Sequence, residues 1–333
     1  MSFLKKKNIL ITGGTGSFGN ALINRLIKEK NFKTITVFSR DENKQHHMRI
    51  KLNNSKIKFI IGDIRDQEAT GKALKDINIV FHAAALKHVP TCELYPSEAI
   101  STNVLGTKNI INLCEKNDIE KLIILSTDKA VYPINAMGMT KALAEKLVIS
   151  SRKNYNTKIM IVRYGNVVHS RGSVVETFIN QIKNNSKYLT VTNKDMTRFL
   201  LSLDDAIDLV IFALKKTKHG TTFVKKAPSA RIMDIALACK ELFKSNIKIK
   251  ETGIREGEKL HETLVSKEEM ISAKNLKDFF TIDNFKNKNV SNFIYKGKAN
   301  GKYYEYSSNN QKLLNKKEII NLFKKIRTIK EMN

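Results

Sequence analysis

The chain has no tryptophan, only four prolines and only three cysteines among its 333 residues. Cys92, Cys114 and Cys239 are odd in number, far apart and in no C-x-x-C pair. That excludes a disulfide framework and leaves reduced thiols. No apolar run approaches the ~20 residues that span a bilayer. The basic start, Met1 to Lys7, is followed by an apolar stretch that stops at Thr12-Gly13-Gly14, too short for the core of a signal peptide. We therefore expect a cytoplasmic protein with no integral membrane segment. The seven histidines show no H-x-x-x-H or H-E-x-x-H spacing, so no metal site is expected. Acidic side chains are scarce as well: 32 Asp and Glu stand against 59 Lys and Arg, a formal net charge of +27. The lysines run along the whole chain, with no aromatic-interleaved basic motif, zinc-finger spacing or recognition helix, so no nucleic-acid partner is expected. A basic surface of this kind attracts small anions and membrane headgroups.

What is present is a rhythm. Apolar strands are expected at Asn8 to Thr12, Thr34 to Phe38, Ile57 to Ile61, Asn78 to His82, Lys121 to Ser126 and Lys158 to Arg163. Helical stretches are expected between them at Phe18 to Glu29, Pro96 to Asn117 and Met139 to Arg152. Strand–helix repeats with nearly continuous apolar strands specify an α/β fold with a doubly wound parallel Rossmann sheet. After about residue 168 the rhythm changes, with helices expected at Val174 to Lys183, Asp204 to Lys216 and Arg231 to Phe243. The division expected is a cofactor domain over 1–168 and a smaller α/β substrate domain over 169–333, part of which returns to the first. Beyond Leu276 the chain is Lys/Asn-rich and weakly periodic.

Thr12-Gly13-Gly14-Thr15-Gly16-Ser17-Phe18-Gly19 lies between the first strand and the first helix. Glycines there allow a tight turn, close approach of backbone to pyrophosphate and close helix–strand packing, and the helix start offers N–H groups to phosphate. Thr12, Gly13, Gly16, Ser17, Phe18 and Gly19 are candidate dinucleotide contacts. The second strand ends at Ser39-Arg40-Asp41. An arginine at that point suits the 2′-phosphate of NADP, whereas an acid suits the ribose of NAD. Arg40, with Lys44, favours NADP; Asp41 speaks for NAD. Asp63 and Ile64 are expected along the adenine, and Ala83-Ala84-Ala85 offers small side chains where backbone passes a cofactor.

Ser126-Thr127-Asp128-Lys129 follows the fifth strand, and Lys141 comes twelve residues after Lys129. Many nicotinamide enzymes carry a tyrosine four residues before such a lysine. Here that position is Met137, whose thioether moves no proton, and none of the nine tyrosines has a lysine four residues on. The glycine pattern, the alanine-rich strand end, Asn103, Ser126-Thr127 and Lys141 resemble the extended short-chain dehydrogenase/reductases that act on nucleotide sugars. Longer strings narrow the likeness: Ser39-Arg40-Asp41-Glu42, Ala83 to Pro90, Ser126 to Ala130, Arg163 to Val167 and Gly257-Glu258-Lys259-Leu260-His261-Glu262. These resemble the inverting UDP-N-acetylglucosamine 4,6-dehydratases (5-epimerising), some of whose close relatives are called UDP-glucose 4-epimerases. Pro133 to Met139 resembles a capsule and O-antigen branch with methionine at the tyrosine position. The resemblance runs to about Asn310.

The resemblance implies oxidation at sugar C4, loss of water across C5–C6, hydride return at C6 and protonation of C5 on the opposite face. It makes Thr127, Asp128, Lys129 and Lys141 the candidate catalytic residues. Lys129 takes the C5 proton, Asp128 protonates the departing C6 hydroxyl, Thr127 holds the C4 oxygen and Lys141 orients the nicotinamide ribose. Asn103 joins the cofactor contacts. Lys87, Met137, Asn166, Arg198, Arg255 and Glu258 are candidate contacts to a UDP-sugar, Arg255 to its diphosphate. His261 and Glu262 are expected to serve the fold. Tyr306 to Asn309 resembles a carboxyl-terminal segment that folds over the site or a neighbour. A homo-oligomer, dimer or hexamer, is expected. Three alternatives stay open: a UDP-glucose or UDP-N-acetylglucosamine 4-epimerase, a dehydratase that retains C5, and a non-catalytic NADP-binding regulator.

Overall fold

The computed structural model describes residues 2–151, 156–168, 170, 172–284, 304–326 and 329. Arg152, where one expected helix ends, and residues 285–303 of the Lys/Asn-rich tail lie outside the described residues. The first half alternates as β1 (Asn8–Thr12), α1 (Ser17–Glu29), β2 (Thr34–Ser39), α2 (Glu42–Leu52), β3 (Ile57–Ile61), α3 (Gln67–Ala73) and β4 (Ile79–His82). It continues through α4 (Val89–Leu94), α5 (Pro96–Ala99), a π-helical turn (Ile100–Leu105), α6 (Gly106–Lys116), β5 (Lys121–Thr127), a 3₁₀ turn (Asp128–Ala130), α7 (Ala136–Ser150) and β6 (Lys158–Tyr164). These six strands are parallel neighbours in the order 3-2-1-4-5-6. Both sheet faces are covered, which is why the strands are apolar throughout. Ile9 and Ile11 pack with Leu22 and Leu26 of α1 on one side. Leu10 turns to the other, with Ile110 and Cys114 of α6.

The second half contributes α8 (Val174–Lys183), β7 (Tyr188–Val191), β8 (Thr197–Phe199), α9 (Leu203–Lys216), β9 (Thr221–Lys225), β10 (Ser229–Arg231) and α10 (Ile232–Leu242). After these come β11 (Lys248–Glu251), β12 (Thr263–Val265), α11 (Lys267–Met270), β13 (Ala273–Asn275), β14 (Phe279–Asp283), β15 (Tyr306–Ser307) and α12 (Lys316–Lys325). Three of its strands extend the first sheet to nine: β9 lies parallel to β6, β14 antiparallel to β9, and β13 antiparallel to β14. A separate core joins Phe178 and Ile179 of α8, Ile235 and Cys239 of α10, and Ile319 and Phe323 of α12. Cys92, Cys114 and Cys239 are all buried free thiols. Among the described residues no helix is long and apolar enough to cross a membrane.

Two differences from the sequence expectation have physical causes. The helix expected from Pro96 to Asn117 is interrupted by the π turn, which lets Asn103 reach the strand-end loop instead of spending its place on the helix face. Helices α2 and α3 escaped the periodicity because they bury few residues, Gln45 and Met48 in α2 and Thr70 and Ala73 in α3. They are set by their caps: Asp41 accepts from Lys44 N, and Asp66 from Glu68 N and Ala69 N.

Candidate active site

The carboxyl ends of β1 to β6 open onto one cleft of about 820 Å³. In a sheet of this order the chain reverses direction between β1 and β4, and the crevice above that point is where such folds take ligands. Gly13 sits there with φ +64°, and a Cβ on it would lie 2.8 Å from Ala84 Cα and N. Only glycine lets the turn after β1 pass this close to the alanine-rich end of β4. The turn then enters α1 through Gly16, whose helix start has no side-chain cap. The first N–H groups of a 13-residue helix are thereby left for an anion in the cleft. These features fit a dinucleotide pyrophosphate.

Most of the expected cofactor residues line this cleft: Gly13, Gly16, Ser17, Phe18, Gly19, Arg40, Asp41, Lys44, Asp63, Ile64, Ala83, Ala84, Ala85 and Lys141. Thr12 and Asn103 stand behind it. Thr12 Oγ1 pairs with His82 Nδ1 at 2.8 Å and accepts from Ala84 N at 3.3 Å, so it fixes the loop rather than the ligand. Asn103 accepts from Leu86 N at 2.8 Å and donates to Leu86 O and Thr140 Oγ1. Asp41 caps α2 and pairs with Lys44, so both of its oxygens are engaged by that residue. Arg40 is half exposed, with Asp63 Oδ2 3.6 Å away. Asp63 also accepts from Arg65 through Nε, Nη2 and the backbone, so its oxygens are largely committed before any adenine arrives. Burial alone would raise its carboxyl, but the Arg65 hydrogen bonds outweigh that and hold it below the usual aspartate range.

The 3₁₀ turn after β5 gathers three of the expected catalytic residues. Thr127 Oγ1 donates to Asp128 Oδ1 at 2.9 Å, and Lys129 Nζ donates to the same oxygen at 3.1 Å. Asp128 is buried, and its Oδ2 has no hydrogen-bond partner among the described residues. A buried carboxylate oxygen without a donor is costly. Lys129 is 18% exposed and lies 3.1 Å from a second carboxylate, Glu262 Oε1. Burial alone would lower this lysine, but the Asp128 and Glu262 charges outweigh it and hold it above the ordinary value. The turn is seated tightly on α7: a Cβ on Gly138 would collide with Lys129 O.

Lys141, on α7, is buried at the cleft wall, and burial pushes it down to about 8 against the opposing pull of Glu145. Glu145 is itself held by Arg163 of β6 and by Ser126 Oγ, and Arg163 continues to Glu269 at 2.8 Å. Ser126 is therefore part of the scaffold. Met137 also lines the cleft but is buried against Cys92 and Ala99. Among the described residues Tyr132 reaches outward to Glu268, and Tyr164 lines the cleft stacked on Phe18.

Of the expected substrate contacts, Lys87, Met137, Asn166 and Arg255 line the cleft. Among the described residues Asn166 Oδ1, like Asp128 Oδ2, is buried without a hydrogen-bond partner. Arg198 and Glu258 do not line it. Arg198 is buried, donating to the carbonyls of Thr197, Lys259 and Leu260, and Glu258 Oε1 is 3.7 Å from it. His261 pairs with Thr197 Oγ1 at 2.8 Å, away from the reacting groups. Glu262, expected to serve the fold, instead reaches Lys129. Its partner lies far back along the chain, so no local spacing announced it.

A family model described as polysaccharide biosynthesis protein matches residues 9–284. The chain is 49% identical over 321 residues to a UDP-glucose 4-epimerase of Rickettsia rickettsii, which covers 94% of each chain. Among solved structures, Pen from Bacillus thuringiensis has a TM-score of 0.88 at 38% identity, covering 96% of this chain and 98% of that one. A UDP-glucuronic acid 4-epimerase from Bacillus cereus, solved with UDP-glucuronic acid and NAD, has a TM-score of 0.69 at 25% identity, covering 76% and 88%.

Proposed function

We propose that this chain, which belongs to the polysaccharide biosynthesis protein family among the extended short-chain dehydrogenase/reductases that modify nucleotide sugars, is a UDP-N-acetylglucosamine 4,6-dehydratase that inverts C5. The product is a UDP-2-acetamido-2,6-dideoxy-4-keto-L-hexose for surface polysaccharide. The observation that carries this reading is the Thr127–Asp128–Lys129 hydrogen-bonded chain at the cleft wall. Inversion at C4 alone has no use for an added acid and base.

The residues present fit a nicotinamide dinucleotide, with the pyrophosphate at the start of α1 and Lys141 at the nicotinamide ribose. When bound, the cofactor supplies the hydride acceptor at C4 and the hydride donor at C6. The exposed Arg40 and the capped Asp41 favour NADP; the NAD held by the Bacillus cereus epimerase favours NAD. Comparing the two affinities before and after Arg40→Asp decides between them: a selective loss of NADP keeps Arg40 in this role, and equal losses remove it.

The proton route follows from the hydrogen bonds. Thr127 Oγ1 accepts the C4 hydroxyl proton while passing its own to Asp128, 2.9 Å away. This replaces the missing tyrosine. Asp128, now protonated, gives that proton to the departing C6 hydroxyl. Lys129, as free amine, takes the C5 proton, the C5–C6 double bond forms, and water leaves. As hydride returns to C6, a proton reaches C5 on the opposite face, the face Lys129 does not occupy. Met137 is an apolar wall that keeps water from the reacting carbons. We place the enzyme in the cytoplasm as a homo-oligomer, associating through the exposed Ile100, Leu105, Met139 and Leu143.

The alternative is a 4-epimerase, which the name of the Rickettsia relative favours. Incubation with UDP-N-acetylglucosamine in deuterated water separates the two. Loss of one water with deuterium at an inverted C5 supports the dehydratase. A product of unchanged mass, epimeric at C4, overturns it.

A further inference from the structure

Lys129 is gripped from both halves of the chain. Its ammonium is 3.1 Å from Asp128 Oδ1 and 3.1 Å from Glu262 Oε1. Glu262 precedes β12, and its side chain is 2% exposed. Its backbone is clamped by Ser308: Glu262 N donates to Ser308 Oγ at 3.0 Å, and Ser308 N donates to Glu262 O at 2.8 Å. Its other oxygen, Oε2, accepts no hydrogen bond among the described residues. Two cations stand farther off, Arg198 Nε at 3.8 Å and Lys259 Nζ at 3.8 Å. Lys259 also donates to Val131 O at 2.6 Å, which ties this segment to the turn that carries Lys129. The charged groups around the ammonium are therefore Asp128, Glu262, Arg198 and Lys259.

This arrangement answers a difficulty in the dehydration. Lys129 must be a free amine to take the C5 proton, yet two carboxylates hold it charged. The C4 hydroxyl proton, once on Asp128, neutralises one of those carboxylates, and Glu262 is then the anion left in contact with the ammonium. We propose that Glu262 is a positioning residue that acts through Lys129: it fixes Nζ at the cleft wall and sets the pH range over which Lys129 gives its proton to solvent and becomes the free amine that takes the C5 proton. Because Glu262 comes from the second half, that setting exists only when the two halves are docked. The inference rests on the dehydratase reading for its chemical step, but the Lys129–Glu262 coupling can be tested without it.

The direct test is the pH dependence of Lys129 acetylation by acetic anhydride in the full-length protein, read by peptide mass spectrometry. In Glu262→Gln the midpoint of Lys129 labelling moves to lower pH, because an opposing charge has been removed. In Lys259→Met it moves to higher pH, because a repelling charge has been removed. These shifts need no sugar, so they stand or fall apart from the assigned reaction. Turnover is the second readout. In Glu262→Gln the limb of the kcat–pH profile that belongs to Lys129 moves to lower pH together with the labelling midpoint, while KM stays near wild type. Loss of folding alone would move neither in this way. An unmoved labelling midpoint in Glu262→Gln, with circular dichroism and cofactor binding intact, overturns the proposal. If that variant does not fold, an unmoved or lowered midpoint in Lys259→Met overturns it.

Discussion

Met137 takes the place where a proton-carrying side chain would be expected, and its neighbours Cys92 and Ala99 make that place dry. In the reaction proposed, the proton work falls on residues that touch one another at the end of β5. Replacing Lys129 by Met should lower turnover by about 10²–10⁴-fold, the span of a lost general acid–base. Met137→Leu conserves volume and should remain active with unchanged thermal stability. A well-folded but inactive Met137→Leu would show that the thioether does more than pack. Lys141 makes a prediction of opposite kind, about charge rather than transfer. Its burial brings it down to about 8, so it is an ammonium at neutral pH and loses its charge as pH rises through that value. If the ammonium orients the cofactor, affinity is full below about 8 and weakens above it. Fluorescence titration of cofactor at about pH 7 and pH 9 reads this, and Lys141→Arg, which keeps its charge, should remove the break. An equal break in the arginine variant would assign it to another group.

At the scale of elements, the π turn at Ile100–Leu105 decides where the alanine-rich loop after β4 comes to rest. Asn103 satisfies both the N–H and the C=O of Leu86, much as a neighbouring strand would, and links them to Thr140 of α7. Asn103→Ala leaves two backbone groups unpaired and should cost about 1–3 kcal/mol in chemical denaturation. It should also raise the KM for cofactor, since Ala83 to Ala85 line the cleft. Destabilisation with no change in cofactor KM would mean that the loop keeps its place by other contacts. This element also shows what sequence can reveal. The glycine turn, the strand ends and Thr127-Asp128-Lys129 were legible because each acts through residues adjacent in the chain, with a period or spacing to mark it. Asn103 was legible as important but not as a strut, because its partners are backbone atoms of a distant loop. Arg198 looked like a contact to the UDP-sugar, since charge is visible in sequence and orientation is not; it turns inward to three carbonyls. Glu262 could not be distinguished from its neighbours, because its meaning depends on a lysine brought to it by the fold.

At the scale of the molecule, the helices beside the cleft leave an apolar face uncovered. Met139 and Leu143 lie one turn apart on α7, with Ile100 and Leu105 on the neighbouring turn, all more than 45% exposed. Leu143→Glu places a charge in that face and should shift the sedimentation coefficient toward the monomer without altering the circular dichroism spectrum. A wild-type protein that sediments as a monomer would remove this face from assembly. The two halves within one chain are joined by firmer means. Asn135 donates to Gly257 O at 2.7 Å, Tyr132 to Glu268 at 2.9 Å, and Lys259 to Val131 O, so the reacting turn is braced by the second half along its length.

The passage of the great sheet from β6 into β9 and on to β14 has a consequence for how the protein is made. A nascent chain that has left the ribosome only as far as Tyr164 has written the whole dinucleotide crevice, yet its last strand still offers a row of unpaired backbone groups to any passing partner. Thr221–Lys225 covers that row, and Phe279–Asp283 then covers Thr221–Lys225. Thr221–Lys225 must be made before the first six strands lose that open edge, and Phe279–Asp283 before the covering strand loses its own. A premature stop before Phe279 therefore gives an unfinished sheet rather than a smaller enzyme, and one for which chaperones and proteases would compete.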